Sequence, residues 1–375
     1  MTRAVILLLL VHVVLAAAAP ATPAQESAAG AFRAGVAAQQ DGQLERAAQA
    51  YRRAIAADPR LAEAHANLGA VLARLGQYEE AVASYERALA INPRLNAARL
   101  NLGLAHYRAG ALGAAADAFR AAHAADPSLL QARQLLGLVL VEIGKDAEAL
   151  PHLEASAQAA PDEPAVLFAL GRAYSRLGDK RADTVAERLG QTPEGRPLWH
   201  QLRGLVLQQG DRHEQALQAF DAAAALNDTL PRLFTNIGVS RLKLGDHAGA
   251  RRAFETALAR SDRDAAAHVY VAWLDEQADR LTDAQRHAER AVTLDGDLAE
   301  SRGLLGRVLL KQGSTAAAAS HLERAVAAEP ENASWRFLLG QAHQRMGNAE
   351  AAAREFAEAR RLKEQEVARD RKVDR

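Results

Sequence analysis

A glycine recurs every 34 residues along most of this chain, and this period constrains the fold more than any other feature. The recurrence starts with a repeat that begins at residue 28 and continues to about residue 366. A fixed period of this length indicates one supersecondary element repeated about ten times, and it leaves no room for a separate catalytic domain. The eighth place of successive repeats is held by Gly35, Gly69, Gly103, Gly137, Gly171, Gly204, Gly238, Gly306 and Gly340, with Ala272 in one repeat.

Three further places repeat with the same period. Five repeats close with proline, at Pro59, Pro93, Pro127, Pro161 and Pro330. The twentieth place holds Ala47, Ala81, Ala115, Ala149, Ala216, Ala250, Ala284, Ala318 and Ala352. The twenty-fourth place is mostly large and apolar, with Tyr51, Tyr85, Phe119, Leu153, Phe220, Phe254, Ala288, Leu322 and Phe356.

These residue types predict pairs of helices in each repeat. Small side chains at places 8 and 20 let two helix backbones approach closely where they cross, and we expect place 24 to fill the space between neighbouring repeats. Proline stops the second helix because it has no N–H to donate and restricts the residue before it. The first helix should end at a left-handed glycine, at Gly42, Gly76, Gly110, Gly144, Gly178, Gly245, Gly313 and Gly347.

The pattern resembles the tetratricopeptide repeat, a helix-turn-helix element with small residues at places 8, 20 and 27 and an apolar residue at place 24. The clearest repeat is AEAHANLGAVLARLGQYEEAVASYERALAINPRL. The resemblance implies an all-α, right-handed superhelical solenoid of about ten repeats, stabilised by stacking of neighbours. The expected repeats are 28–61, 62–95, 96–129, 130–163, 164–196, 197–230, 231–264, 265–298, 299–332 and 333–366, followed by a charged tail at 367–375.

The first residues differ from the repeats. Thr2 and Arg3 precede an apolar run from residue 4 to 19, and small residues follow. This order predicts a secretory signal peptide over 1–21 and a short linker over 22–27. The alternative is a retained membrane anchor, for which a run of about 16 residues is short, since a spanning helix needs about 20. The Ala- and Arg-rich composition suggests a bacterial source, so we expect a periplasmic or secreted protein without a stable membrane span after cleavage.

Composition excludes several function classes. The chain carries 46 basic and 46 acidic residues, so its neutral balance gives no indication of nucleic-acid binding. It contains no cysteine, which removes disulfides, thiolate nucleophiles and Cys-ligated zinc. The twelve histidines form no His-Glu-x-x-His motif, and no phosphate-binding glycine loop or Gly-x-Ser-x-Gly elbow occurs. We therefore expect no enzymatic activity, no cofactor and no metal site.

The surface of the first helices remains as the candidate site. In the tetratricopeptide family these helices line a concave groove through places 2, 5, 6, 9, 12 and 13. Place 6 holds Asn67, Asn101 and Asn236. This short series is similar to the asparagine ladder of protein O-linked N-acetylglucosamine transferases, and an amide both donates to and accepts from a peptide backbone. The alternative is that asparagine is simply common at this place in the family.

Cations and a few aromatic rings are expected on the same surface. Such cations favour anionic partners, although a cation in the last turn of a helix also complements the helix dipole by about 0.3–1 kcal/mol. Trp273 at place 9 and Tyr107 at place 12 are candidate aromatic anchors. Place 13 carries Arg74, Arg108, Arg176, Lys243, Lys311 and Arg345.

The fifth repeat is one residue shorter than the others and its second helix is broken early by Gly190, Pro193, Gly195 and Pro197. This composition predicts either a hinge at residues 190–197 or an unbroken solenoid that tolerates a degenerate repeat.

Together these features predict a non-enzymatic scaffold that binds a peptide or protein segment in the groove of the solenoid. Two alternatives stay open at this point. One is an accessory subunit that presents substrates to a separate envelope transferase or protease. The other is a structural component of an envelope, secretion or pilus assembly, and a homo-oligomer is compatible with either.

Overall fold

The computed structural model describes residues 23–295 and 298–373, with side chains over 27–295 and 298–368. The described residues form twenty α-helices and no strand. The expected signal peptide lies outside the described residues. The helices are α1 Pro23–Gln40, α2 Leu44–Ala57, α3 Ala62–Arg74, α4 Tyr78–Ile91, α5 Asn96–Ala109, α6 Leu112–Ala125, α7 Leu130–Glu142, α8 Asp146–Ala159, α9 Pro164–Arg176, α10 Arg181–Gln191, α11 Arg196–Gln209, α12 His213–Leu226, α13 Leu233–Lys243, α14 His247–Arg260, α15 Ala265–Gln277, α16 Leu281–Leu294, α17 Ala299–Lys311, α18 Thr315–Ala328, α19 Ala333–Arg345 and α20 Ala349–Val373.

The helices belong to two compact units, an N-terminal unit up to Leu202 and a C-terminal unit from Arg203 onward. In each unit the helices pack in chain order, so that α3 contacts α4 and α4 contacts α5, and α15, α16 and α17 follow the same rule. First helices of adjacent repeats also touch, as α7 and α9 do in the N-terminal unit. This order of contacts confirms the predicted all-α solenoid of helix pairs.

The crossing inside each pair is built from the place-8 glycine and the place-24 side chain. A Cβ added to Gly103 would lie 2.5 Å from the ring of Phe119, and one added to Gly238 would lie 2.4 Å from the ring of Phe254. Both rings are completely buried. The prediction that place 24 fills the space between repeats was therefore incomplete, because this side chain first covers the glycine of its own pair and so requires that glycine to have no side chain.

The first helices end as expected in a left-handed residue. Gly110, for example, has φ +88° and follows α5 directly. Two repeats lack glycine at this place, and there Asp211 and Asp279 adopt the same conformation with φ of +53° and +57°. Aspartate tolerates the left-handed region better than most residues, so the turn geometry is kept without glycine.

The two ends of the stack compare differently with the sequence-based expectation. The first helix begins at Pro23, so residues 23–27 of the expected linker are helical, and proline suits this position because a first helical residue needs no N–H. At the other end α20 continues to Val373, so most of the charged tail lies in an extension of the last helix, as its sequence predicts. The residues that extend α20 are largely charged, and a polar terminal helix lets a repeat stack end in water.

The fifth repeat departs from the common pattern. Its second helix, α10, spans eleven residues where the other second helices span fourteen or more. Asp183 and Glu187 stand at places 20 and 24, and both are exposed. A Cβ on Gly171 would meet Leu202 of α11 at 2.5 Å. Leu202 thus covers the glycine that a place-24 side chain covers elsewhere, because Glu187 is too polar to be buried there.

Candidate functional site

The predicted site residues lie on first helices in both units. Asn67 and Arg74 are on α3, Asn101, Tyr107 and Arg108 on α5, and Arg176 on α9 of the N-terminal unit. The remaining candidates belong to the C-terminal unit, with Asn236 and Lys243 on α13, Trp273 on α15 and Lys311 on α17. The structure therefore divides the predicted residues into two groups, which we describe separately.

Several place-13 cations are used by the scaffold itself. The Arg176 guanidinium donates to the backbone carbonyl of Val141 at 3.0 Å and to both carboxylate oxygens of Asp146 at 3.1 and 3.3 Å. Asp146 is buried, with 7% of its surface exposed. Arg345 donates in the same way to the carbonyl of Leu310, at 2.5 Å. In both cases the cation reaches back one repeat and satisfies a carbonyl near the end of the preceding first helix.

Lys311 is also engaged within its own unit. Its ammonium forms an ion pair with Glu276, which Arg307 contacts at 3.1 Å as well. The Glu276 side chain is only 2% exposed, and both cations reach it from α17. Arg176, Lys311 and Arg345 of the expected cationic stripe thus hold neighbouring helices together, and binding of a partner by this stripe stays a prediction.

Three place-13 cations behave differently. Arg74 and Lys243 are exposed and Arg108 is half-buried. None of the three forms an ion pair or a hydrogen bond from its charged group within the described residues. Arg74 and Arg108 stand at the same place of adjacent repeats, on α3 and α5, which contact each other. Two unpaired cations thus lie side by side in the N-terminal unit.

The asparagines at place 6 are in different states. The Asn67 amide hydrogen-bonds to the hydroxyl of Tyr51, and that hydroxyl donates to Gln39 Oε1 at 2.8 Å. Burial raises the pKa of Tyr51 to about 12, an effect that this bond partly offsets. The Asn101 side chain makes no hydrogen bond with the described residues and is half-buried. One amide is thus held in position by the scaffold, while the donors and acceptor of the next are unused by the described residues.

Tyr107 is held from the following repeat. Its hydroxyl donates to Glu142 Oε1 at 3.2 Å, and Glu142 stands at place 13 of the fourth repeat. Glu142, the single acid among the place-13 residues, therefore fixes the ring of Tyr107, which is next to Arg108 in the sequence. Glu142 also ends the run of place-13 cations that Arg74 and Arg108 form.

Trp273, the aromatic anchor predicted in the C-terminal unit, is partly buried by packing against other side chains of that unit. The Trp273 indole stacks on the imidazole of His247 with centroids 5.8 Å apart, and it packs against two apolar clusters of that unit. It is half-buried, and part of its ring area serves the fold. Asn236 of the same unit contributes its backbone carbonyl to Gln208, while its amide makes no bond within the described range.

Sequence reasoning missed two polar clusters of the C-terminal unit. Asp275, 4% exposed, receives hydrogen bonds at 2.7 Å from both Arg251 and Arg280. His268 and His287 face each other with their Nδ1 atoms 2.9 Å apart. The sequence did contain a signal for the buried carboxylate, because Asp275 and Glu276 stand near the end of a helix that is otherwise mostly apolar. The histidine pair has no such signal, because its members come from two helices.

The described residues show no other site of recognisable chemistry. Among them, no group of three or more His, Asp or Glu side chains is placed to hold a metal ion. None of their helices combines the length and apolarity that a membrane span requires. A cleft of about 310 Å³ lies beside Asp275, but the arginines and carboxylates around it pair with one another.

The stacked helix pairs define the class as an all-α repeat protein. Two repeat models match the chain: one described as TPR repeat, over residues 39–76 and 71–110, and one described as tetratricopeptide repeat, over 235–299 and 304–367. These spans cover more than half of the sequence. The chain belongs to the tetratricopeptide repeat family, whose members typically act as non-enzymatic scaffolds for protein–protein interaction.

One curated protein and two solved structures are similar to this chain. TPR repeat-containing protein PA4299 of Pseudomonas aeruginosa is 39% identical over 83 residues, which is 22% of this chain and 34% of that protein. The chain thus matches about a third of the length of this curated relative. The crystal structure of the APC/C hetero-tetramer Cut9-Hcn1 is 15% identical, with a TM-score of 0.55 over 89% of this chain and 73% of that one. The crystal structure of MamA is 17% identical, with a TM-score of 0.38 over 44% of this chain and 96% of that one.

Proposed function

We propose that this scaffold binds an extended, carboxylate-bearing peptide segment on the face formed by α3 and α5, which we call the α3–α5 face. It is defined by Asn67, Arg74, Asn101 and Arg108. The observation that carries the proposal is the contrast among place-13 cations. The charged groups of three of them, Arg176, Lys311 and Arg345, bond to other residues of the fold. By contrast, Arg74 and Arg108 stand on adjacent first helices and pair with no acid among the described residues.

The spacing along each helix places the two residue types on one side. Asn67 and Arg74 are seven residues apart, as are Asn101 and Arg108, which is close to two helical turns and a rise of about 10.5 Å. The four side chains therefore form two parallel pairs, with amides toward the N-terminal ends of the helices and guanidinium groups toward their C-terminal ends. The rise equals about three residues of an extended chain at roughly 3.3 Å each.

The chemistry of the two pairs selects the partner. An amide can donate to a peptide carbonyl and accept from a peptide N–H, so the Asn end recognises backbone of any sequence. A guanidinium binds a carboxylate in two-pronged geometry, so the Arg end recognises an acidic side chain or a chain terminus. The expected ligand is an extended segment whose carboxylate lies about three residues from the backbone held by the asparagines.

Peptide binding to the full chain tests this proposal. Fluorescein-labelled ten-residue peptides with one glutamate in an alanine and serine background serve as probes, read by fluorescence anisotropy. We expect the R74Q/R108Q double variant to bind at least about tenfold more weakly, and raised salt to weaken the wild type toward the variant. Lys243→Gln is the matched control, since Lys243 is also an exposed, unpaired place-13 cation but lies in the C-terminal unit. Equal affinities for wild type and double variant would refute the proposal.

The same variants separate the scaffold from its alternatives. Asn67→Ala with Asn101→Ala should weaken capture of a peptide whether the chain acts alone or presents substrates to a separate enzyme. It should leave the assembly intact if the chain is a structural component of a larger envelope complex. Unchanged peptide capture together with an intact assembly would favour that structural role.

We further propose that the protein is exported and has no catalytic activity of its own. The apolar run at residues 4–19 and the small residues after it support export. N-terminal sequencing of protein from the native cell tests this: a start near residue 22 is expected, and a start at Met1 would argue against cleavage. An exported chain without cysteine must rely on packing alone for its stability.

A further inference from the structure

The second helix of the fifth repeat, α10, is bound to the N-terminal unit in an unusual way. Of its eleven described residues, Leu189 is the one that is buried, and Ala182 and Val185 pack half-buried on the core of the unit. By comparison, α6 buries four residues, including the completely buried ring of Phe119. A helix with so little buried apolar surface has little to hold it against local opening.

The surrounding helices do not need α10 to complete their crossing. In the other repeats the place-8 glycine is covered by the second helix of its own pair, as Gly103 is by Phe119. Gly171 on α9 is covered instead by Leu202 on α11, and Leu202 is 3% exposed. Loss of α10 would therefore leave the close contact at Gly171 in place.

Charged groups provide much of the attachment of α10. Arg181 pairs with Asp179 at 2.7 Å within the same segment, and it attaches α10 to other helices through an ion pair with Glu154 at 3.0 Å and a guanidinium 4.4 Å from the ring centroid of Tyr174. Arg188 donates to the carbonyl of Pro161 at 2.5 Å and lies 3.5 Å from Asp162. Both arginine side chains are more than a third exposed, so dissolved salt screens these contacts.

We propose that α10 is a releasable cover helix, which opens as one segment over residues 179–188 when ionic strength rises, while α9 and α11 stay packed. Leu189 is the fixed end of this segment, because it is completely buried and the adjoining Gly190 lies against the ring of Trp199. Opening would expose the half-buried side chains of Ala182 and Val185 and the part of Tyr174 that Arg181 covers. The chain thereby carries a conformational switch that is separate from the α3–α5 face.

Thiol labelling of the full chain tests this directly, because the natural sequence contains no cysteine. Ala182→Cys reports the opening of α10, and Ala114→Cys on α6 is the matched control, since both alanines are half-buried on second helices. Between 0.05 and 0.5 M NaCl we expect the labelling rate of the α10 thiol to rise about threefold to tenfold, and that of the α6 thiol to change less than twofold. The control removes the effect of salt on thiol reactivity itself.

Hydrogen exchange gives a second, independent reading. Amides of 181–188 should exchange at least tenfold faster than those of α9, and Arg181→Gln should speed them at low salt and remove most of their salt dependence. Arg120→Gln is the control, because Arg120 also pairs with two acids but lies on the well-buried α6. Equal protection of α10 and α9, or opening of both together, would overturn the proposal.

Discussion

The Arg176 guanidinium on α9 donates to the backbone carbonyl of Val141 on α7, 35 residues earlier in the chain. Arg345 and Leu310 are joined by the same bond with the same separation in the C-terminal unit. The last carbonyls of a helix have no partner inside that helix. In these two repeats the place-13 arginine therefore caps the first helix of the preceding repeat, which couples one repeat to the next.

Removing this coupling should destabilise the protein. Arg176→Ala leaves the buried Asp146 without its cation, and hydrogen bonds to charged groups contribute about 1.5–3 kcal/mol. We expect the free energy of unfolding of the N-terminal unit to fall by about 2 kcal/mol in urea denaturation. Arg74→Ala is the control and should change it by less than about 0.5 kcal/mol, because Arg74 is exposed and unpaired. Equal effects of the two substitutions would contradict this role.

The glycine at the helix crossing should not accept a methyl group. A Cβ on Gly103 would lie 2.5 Å from the buried ring of Phe119, so Gly103→Ala forces the ring or the helix to move. Overpacking of this kind costs about 1–3 kcal/mol. Gly113→Ala, where nothing lies within 4 Å, is the control and should be neutral or slightly stabilising because alanine favours the helix. Thermal denaturation of both variants checks this, and unchanged stability of Gly103→Ala would show that the crossing is looser than described.

The paired histidines predict a loss of stability in mild acid. His268 Nε2 must donate to the carbonyl of Asp262 at 2.9 Å, so its Nδ1 accepts from His287 Nδ1. Burial lowers the pKa of both rings below the ordinary 6.5, and for His287 the neighbouring His268 adds to the effect. Below about pH 6.5 the unfolded chain therefore binds more protons than the folded one. The free energy of unfolding keeps its full value above that pH and falls as the pH decreases, by at most about 1.4 kcal/mol per pH unit for each ring.

Denaturation at pH 7.5 and 5.5 measures this dependence. Nearby carboxylates raise the pKa of these two rings and nearby cations lower it, and other buried histidines also contribute to the pH dependence of stability. The wild type is therefore compared with an H268Q/H287Q variant. The variant should lose less stability between the two pH values than the wild type. The same loss in both proteins would mean that the pair does not titrate as described. The charged neighbours are Asp262, Asp264, Asp275, Asp283, Arg286 and Arg290.

Limited proteolysis tests the predicted hinge at residues 190–197. The loop between α10 and α11 holds Pro193 and Gly195, and the adjoining α10 is weakly buried. Proteinase K, which cuts after many residue types, should cut first within 190–197 if this loop is a hinge, before any site in α6 or α14; trypsin has no suitable site there, since Arg196 precedes Pro197. Absence of preferential cleavage in this region would argue for a continuous, uniformly stable stack.

Much of the fold could be predicted from the sequence because its main determinants are local. Gly103 and Phe119 lie sixteen residues apart in one repeat, and a 34-residue period makes the same pair visible many times. The roles of the place-13 cations could not be predicted, since Arg176 and Arg74 have the same place and differ only in what the preceding repeat offers them. Asp146, four residues beyond Glu142, becomes a partner only when α8 and α9 are brought together.

The start of α1 and the cover of Gly171 were missed for similar reasons. Pro23 opens a helix that the repeat pattern does not require, and Leu202 occupies a space that Glu187 cannot fill. In both cases tertiary packing decides between local alternatives that the sequence leaves equal. The candidate site could be predicted only in part. Its asparagines and arginines were recognisable from their places in the repeat, but whether their polar groups are free to bind depends on contacts between repeats.

Site-specific photo-crosslinking tests whether the acidic peptide binds on the α3–α5 face. A benzophenone amino acid replaces Ala97 on α5 or Ala121 on α6, two exposed alanines of the same repeat. With the labelled acidic peptide bound, we predict crosslinks from position 97 that disappear in the R74Q/R108Q background, and none from position 121. Crosslinks from position 121 alone, or crosslinks from 97 that survive the loss of both arginines, would contradict binding on the α3–α5 face.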